Sequence, residues 1–288
     1  MNEIFHKGEY YIQEVMGVRK SADTLSSNIK DTIPNIAAQF LENLNFCVIS
    51  LALKNKKQFT FIVYDISPFI KVNDYKTIKV NLKYHSYIPK EFIYTNEAEI
   101  GLIALDFESK MRLRLNGKVN INEKELEIRI NQIYSNCPKY IAKKYLHNEL
   151  KIKEKQEVER FKHLSVDLIT LISNCDTFFI ASKHETYGLD VSYKGGKKGF
   201  ISIKSKDTLE FIDLPGNNLF NTLGNIYINP NIQLIFINFS RGDIYYINGT
   251  ADIIESENEL NKSLIISIKC EDIILNKNGF LLDYKEFK

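Results

Sequence analysis

Two short stretches hold most of the residues whose types and spacing could do chemistry. In DVSYKGGKKGF, Asp190 to Phe200, paired glycines sit among three lysines just before an apolar alternating run. In PGNNLFNTLGNIYINP, Pro215 to Pro230, Gly216 and Gly224 stand among the short donors Asn217, Asn221, Thr222 and Asn225. Glycine lets a ligand approach the backbone closely. A helix starting near Asn221 would turn its unbonded N–H groups toward an anion, and Lys194 or Lys197 would add charge from the glycine loop. The chemistry predicted is the holding of a phosphate-like group. A hairpin tip and a capped helix start explain the same residue types without any ligand, so composition alone leaves both readings open.

No self-contained catalytic constellation accompanies them. The chain has no G-x-S-x-G, no Walker A run, no H-E-x-x-H and no G-x-G-x-x-G. His6, His85, His147, His163 and His184 fall in no ligand spacing. Cys47, Cys137, Cys175 and Cys270 lie far apart with no CxxC pair, which argues against a zinc site or a disulfide framework. Cys137 reads as a structural thiol. No metal site and no catalytic side chain is predicted, and such a chain suits reactivity supplied by a cofactor. Lys+Arg 38 against Asp+Glu 36 gives no general electrostatic case for nucleic acid or a membrane surface. Free thiols, no apolar run able to span a bilayer and no leader-like N-terminus predict a cytoplasmic protein.

The elements that must position these stretches are mostly strands. DTIPNIAAQFLENLN has helical spacing; FCVISLAL, FTFIVYDI, TIKVNLKY, EIGLIALDF, MRLRLNGKVNI and LEIRINQIY then alternate as strands. NELKIKEKQEVERFKH predicts a charged linker helix over 148–163. SVDLITLISNCD restarts the pattern, with TFFIASK, GFISIKS, TLEFIDL, IQLIFINF and DIYYINGTADII as strands and LFNTLGNIYINPN as a turn and helix. The halves also match in sequence. IGLIALDFESKMRLRLNGKV aligns without a gap on IQLIFINFSRGDIYYINGTA, placing Asn116 on Asn248 and Gly117 on Gly249. The expected organisation is a helical segment plus a first, degenerate barrel over 1–147, the linker, and a second barrel over 164–288. The copies part company at the glycine loop and around Pro215 to Pro230, and NCPKYIAKKY ends the first copy with no equivalent in the second. This predicts one site per chain, built from second-copy loops and the first copy's tail.

These residues resemble a known family. DTFFIAS, DVSYKGGKKGF, GNNLFNTLGN and an Asn-Pro before an apolar strand are similar to the pyridoxamine 5′-phosphate oxidase-like FMN-binding split barrels, and most closely to their long, two-barrel flavin-nucleotide-binding branch. There the corresponding runs read D-V-S-H-R-G-G-x-P-G-F and G-N-x-x-F-N-T-L-G-N. The branch's opening F-H-x-G-E with a following Gln is matched by Phe5, His6, Gly8, Glu9 and Gln13, and its G-N-C-P-K-Y-I by Asn136 to Ile141. His6 and Glu9 read as anchors of the opening segment.

The resemblance implies a mainly β fold with flanking helices, two tandem split β-barrels, and FMN at the interface between them. It places Asp190, Val191, Ser192, Tyr193, Lys194, Gly195 and Gly196 along the isoalloxazine edge. Lys194, Asn217, Asn221 and Thr222, with Leu223 and Gly224 following, fall at the phosphate and ribityl chain, and Lys139 and Tyr140 arrive from the other barrel. Ser182 stands on the strand beside the loop, where a bond to backbone explains it equally well. The family's His and Arg before the glycines are Tyr193 and Lys194 here, its Pro is Lys198, and a later Asp-Phe is Asn238-Phe239. Lysine keeps the charge but not the forked geometry of arginine. The implied activity is hydride transfer through FMN with an unknown small-molecule substrate or electron donor. A non-enzymatic flavin carrier or redox-sensing module, and a haem-binding or haem-degrading barrel, are the alternatives. Homodimerisation stays open, as does a separate reductase partner, since no cysteine cluster for iron–sulfur binding is present.

Overall fold

The computed structural model describes residues 4–55, 57–151, 155–258 and 261–286. Helices α1 (Lys7–Val15), α2 (Arg19–Ser26) and α3 (Asn35–Glu42) lead into β1 (Phe46–Ala52), β2 (Gln58–Tyr64), β3 (Ile70–Val72), β4 (Thr77–Asn81), β5 (Ala98–Asp106), β6 (Met111–Ile121) and β7 (Glu125–Ser135). Then come β8 (Lys144–Leu150), β9 (Glu157–Phe161), α4 (Val166–Asn174), β10 (Thr177–His184), β11 (Gly188–Gly195), β12 (Ile201–Ser205) and β13 (Thr208–Ile212). The chain closes with α5 (Asn221–Ile228), β14 (Asn231–Asn238), β15 (Asp243–Asn258), β16 (Asn261–Lys277) and β17 (Leu282–Glu286). The fold is mainly β with a few helices.

The duplication appears in the sheet order. The first sheet runs β2-β1-β5-β6-β7-β4-β3, and the second repeats it strand for strand as β11-β10-β14-β15-β16-β13-β12. The repeated Asn-Gly has a physical cause. In both halves the register slips between that asparagine and glycine, at Asn116/Gly117 and Asn248/Gly249. A Cβ at Gly117 would lie 2.0 Å from the Arg129 carbonyl oxygen, and at Gly249 2.1 Å from that of Lys269. The bulge therefore admits only glycine.

The apolar runs are continuous because the central strands are buried on both faces. Phe178 and Ile180 of β10 pack inside the second sheet. Phe179 and Ala181 pack with Phe46 and the first half's core. Strands β14 and β15 divide their residues the same way, so the two halves share one core.

Three expectations change. Among the described residues the 148–163 segment holds no helix: β8 pairs with β17, and β9 joins the second sheet along β16. Sheet pairing outweighs the helical propensity of Glu and Lys here. The first copy's tail does have a counterpart, because β17 follows β16 as β8 follows β7, and the two tails pair with each other. Finally, α1, grouped by sequence with the first barrel over 1–147, packs on α5 of the second half. A Cβ at Gly8 would lie 2.1 Å from the Gly224 carbonyl oxygen. No helix among the described residues is long and apolar enough to cross a membrane.

Candidate anion-binding cleft between the halves

A cleft of about 730 Å³, part of it open to solvent, lies where the first half's tail crosses the second half's sheet. Ser192, Tyr193, Lys194 and Gly195 line it from the end of β11. Asn217, Asn221, Thr222 and Leu223 line it from the approach to α5 and its first turn. Lys139 and Tyr140 reach it from the tail after β7. The sequence-predicted residues from both halves thus meet in one place.

Five others do not line it. Ser182 and Asp190 face each other across the β10–β11 ladder, and both accept from Asn225 Nδ2 beneath α5, at 3.1 and 2.9 Å. Val191 points into the shared core. Gly196 packs against Phe200, whose ring a Cβ would meet at 2.6 Å. Gly224 seats α1, with Glu9 atoms where its Cβ would stand. The glycine expected to admit a ligand here admits a helix instead.

Tyr193 does more than line the wall. Its hydroxyl donates to the Tyr140 carbonyl at 3.0 Å, accepts from the Ala142 N–H at 3.2 Å, and hydrogen-bonds Thr177 Oγ1 at 2.8 Å. Lys194, expected to meet phosphate, is paired with Asp213, so its charge is already answered. Asn221 and Thr222 also spend their side chains inward, on Glu9 and on Ser192 Oγ. What α5 offers the cleft is its backbone. Phe220 begins the helix in the left-handed region at φ 59° without a side-chain cap, and the N–H groups of the first turn have no carbonyl within the helix. Tyr140 and Asn218, also left-handed, line the same cleft as Phe220. Strained backbone of this kind gathers at binding sites.

The strongest electrostatic feature comes from residues that sequence reasoning passed over. Arg112 and Arg114 enter from β6 of the first half. Arg114 and Asn136 are each only 9% exposed. The Nε of Arg112, the Nε of Arg114 and the Nδ2 of Asn136 are buried without a hydrogen-bond partner, and all three residues line the cleft. Burial, then the like charge of Arg114, pushes the Arg112 guanidinium down to about 10, still cationic at neutral pH. Buried donors of this kind cost ~1–3 kcal/mol each unless something accepts from them. A signal for them existed in the repeat: MRLRL places Arg112 and Arg114 where the second half has Ile244 and Tyr246.

No family model matches the chain, and no curated protein matches it. Among solved structures, HupZ of Group A Streptococcus is similar over 41% of this chain and 96% of its own, at 18% identity and TM-score 0.32. The haem-storage protein HutZ of Vibrio cholerae is similar over 41% of this chain and 96% of its own, at 12% identity and TM-score 0.31. A protein of the pyridoxinephosphate oxidase family from Clostridium acetobutylicum is similar over 42% of this chain and 93% of its own, at 8% identity and TM-score 0.30.

Proposed function

We propose that this chain is an FMN-binding flavoprotein of the pyridoxamine 5′-phosphate oxidase-like split-barrel family, working as a flavin-dependent oxidoreductase. The observation that carries the reading is the convergence of three unpartnered buried donors, on Arg112, Arg114 and Asn136, upon a cleft that also receives the N-terminus of α5. Two guanidinium groups and a helix start suit a phosphate dianion. The residues present therefore fit the phosphate end of FMN, and the ordered motifs around Asp190 to Phe200 and Pro215 to Pro230 support the rest of the assignment.

In this reading Arg112, Arg114, Asn136 and the first-turn N–H groups of α5 hold the phosphate, and the end of β11 flanks the ring. Bound FMN supplies hydride and single-electron transfer. The protein's part is to bind, to orient, and to keep the halves apposed through Tyr193 and the tail it holds. Tyr193 is not a proton carrier near neutral pH, since burial pushes its phenol up to about 12. No histidine lines the cleft, so the haem alternative lacks the usual axial ligand there.

The absorption spectrum of the purified chain, followed by titration with FMN, tests the reading. Flavin bands or saturable FMN binding are expected. A Soret band would replace it with the haem reading, and a colourless protein that ignores FMN would sink it. Anaerobic reduction of the FMN-loaded chain by NADH or NADPH, then reoxidation by added acceptors, separates an oxidoreductase from a carrier.

A further inference from the structure

Beneath the cleft, six residues close a hydrogen-bonded ring, one link of it through a backbone N–H. His6 Nε2 meets Asn225 Oδ1 at 2.9 Å, and Asn225 Nδ2 donates to Asp190 at 2.9 Å. Tyr134 Oη lies 3.2 Å from Asp190 and 3.3 Å from Asn221 Oδ1. Asn221 Nδ2 donates to Glu9 at 2.5 Å, and Glu9 Oε2 accepts the His6 backbone N–H at 2.8 Å. The ring ties α1, β7, β11 and α5 together, and Asn221 belongs to both ring and cleft.

Its charges are unbalanced. Two carboxylates, Glu9 and Asp190, stand in it. The histidine is neutral: His6 Nδ1 accepts the Gly8 N–H, which leaves Nε2 as the donor to Asn225. Burial, then the neighbouring His184, holds His6 down at about 4. Tyr134 is kept as a phenol by burial. From β10 come Ser182, which accepts from Asn225 Nδ2, and His184, its ring centroid 4.2 Å from that of His6. Helix α5 contributes amides. The cation facing the ring is Arg114 of β6, opposite Tyr134 in the β6–β7 ladder, with Arg112 beyond it. Burial pushes the Glu9 carboxyl up to about 8 and raises that of Asp190, which Arg114 partly offsets.

Arg114 thus has two calls on one guanidinium: the ring behind it and the cleft in front. We infer that the cleft takes its anion together with a proton, which the Glu9–Asp190 pair accepts. An anion seated against Arg114 draws on the charge that supports Asp190 and adds its own negative potential to both carboxylates. In a buried setting the lower-energy response is to neutralise a carboxylate. By linkage, acid favours the anion and the anion holds the proton. This inference rests on the reading of the cleft as a site for a phosphate-like group.

Sulfate is the probe, because its charge does not change near neutral pH. Binding to the full chain is measured by calorimetry in buffers of different ionisation enthalpy. Affinity should fall as pH rises from about 7.5 to about 9.5, through and above the point where Glu9 of the free chain gives up its proton, by at most about tenfold per unit for one linked proton, with matching proton uptake. Glu9→Gln should shrink the dependence, and Glu9→Gln with Asp190→Asn should remove it. The single variant decides the matter where the double one fails to fold. Sulfate bound without proton uptake, equal uptake in Glu9→Gln, or no sulfate binding overturns the inference. FMN titrated in parallel separates the two readings. FMN bound with no proton uptake keeps the flavin assignment and sinks the linkage, whereas sulfate bound with a proton but no FMN does the reverse.

Discussion

The hydroxyl of Tyr193 donates to the carbonyl of Tyr140 across 3.0 Å, so a side chain of the second half fixes the backbone of the first half at the cleft wall. The same oxygen meets Ala142 N–H and Thr177. A Cβ at Gly195 would lie 2.2 Å from that Tyr140 carbonyl, which explains a glycine at this crossing. Tyr193→Phe keeps the ring and strands three partners. A loss of about 1–3 kcal/mol is expected, since buried groups are left unsatisfied. Thermal unfolding should show it, and FMN affinity should weaken with it as the tail loosens. Unchanged affinity would mean the tail does not shape the site.

The arginine pair predicts which end of the ligand matters. Arg114→Ala should weaken FMN by roughly tenfold to a hundredfold, from loss of charge-assisted bonds of about 1.5–3 kcal/mol. Riboflavin, which lacks the phosphate, should bind wild type and variant alike. Arg114→Lys should recover only part of the loss, because lysine lacks the forked donor geometry. Fluorescence quenching of each flavin measures both. Equal loss for FMN and riboflavin would move the phosphate elsewhere.

Duplication raises the question of a second site, and the side chains answer it. A cleft of about 750 Å³, part of it open to solvent, does occupy the related position in the first half, lined by Tyr64, Tyr84, His85 and Asn278 among others. Where β6 supplies Arg112 and Arg114, β15 supplies Ile244 and Tyr246, both buried. Tyr246 donates to Ser86 Oγ at 2.6 Å, and Tyr64 packs edge-on against Phe280. Aromatic rings stand where the phosphate donors would be. One FMN per chain is expected from titration against protein concentration, and two would show that the mirrored cleft also binds.

The buried ring makes stability depend on pH. Glu9 titrates near 8 when folded, well above its ordinary carboxylate value. Between those limits the folded chain holds a proton that the unfolded chain has lost, so stability falls as pH rises toward 8. His6 works oppositely, being neutral when folded down to about 4, so its contribution is lost as pH falls from its ordinary value. The two slopes cancel where they overlap. Net loss should therefore appear above about pH 6.5, the ordinary histidine value, as pH rises toward 8. Glu9→Gln should flatten this alkaline fall in a series of melting temperatures, and an equally steep fall in the variant would remove Glu9 as its cause.

Much of the fold was legible in the sequence because its signals are local. Period-two runs marked the strands, and the matched Asn-Gly marked the duplication. The 148–163 segment was misread because Lys- and Glu-rich stretches favour helices in isolation, whereas here strand partners lie far along the chain, at β17 and β16. The cleft was legible through its short motifs. Arg112 and Arg114 were not, since a strand shows only alternation. Their inward burial depends on the second half closing over β6. Lys194 was placed at the cleft, but its partner Asp213 comes from beyond β13 and no spacing rule joins them.

The two glycines of the α1–α5 crossing allow the last prediction to separate packing from ligand approach. Alanine normally strengthens a helix interior by about 1 kcal/mol relative to glycine. At Gly8 the added Cβ would instead lie 2.1 Å from the Gly224 carbonyl and 2.9 Å from the Ile228 side chain. Backbone cannot give way as a flexible side chain can, so Gly8→Ala must push α1 from α5. That shift stretches the Glu9–Asn221 bond and moves the helix start that faces the cleft. A lower melting temperature together with weaker FMN binding is expected. Gly216 is the control. It lines the cleft, and the nearest atom to its Cβ position is 3.9 Å away, the Leu214 carbonyl oxygen. Gly216→Ala should change stability by no more than about 0.5 kcal/mol, so any loss of FMN binding there reports contact with the ligand itself. If Gly8→Ala melts and binds as wild type does, α1 is not part of what positions the site.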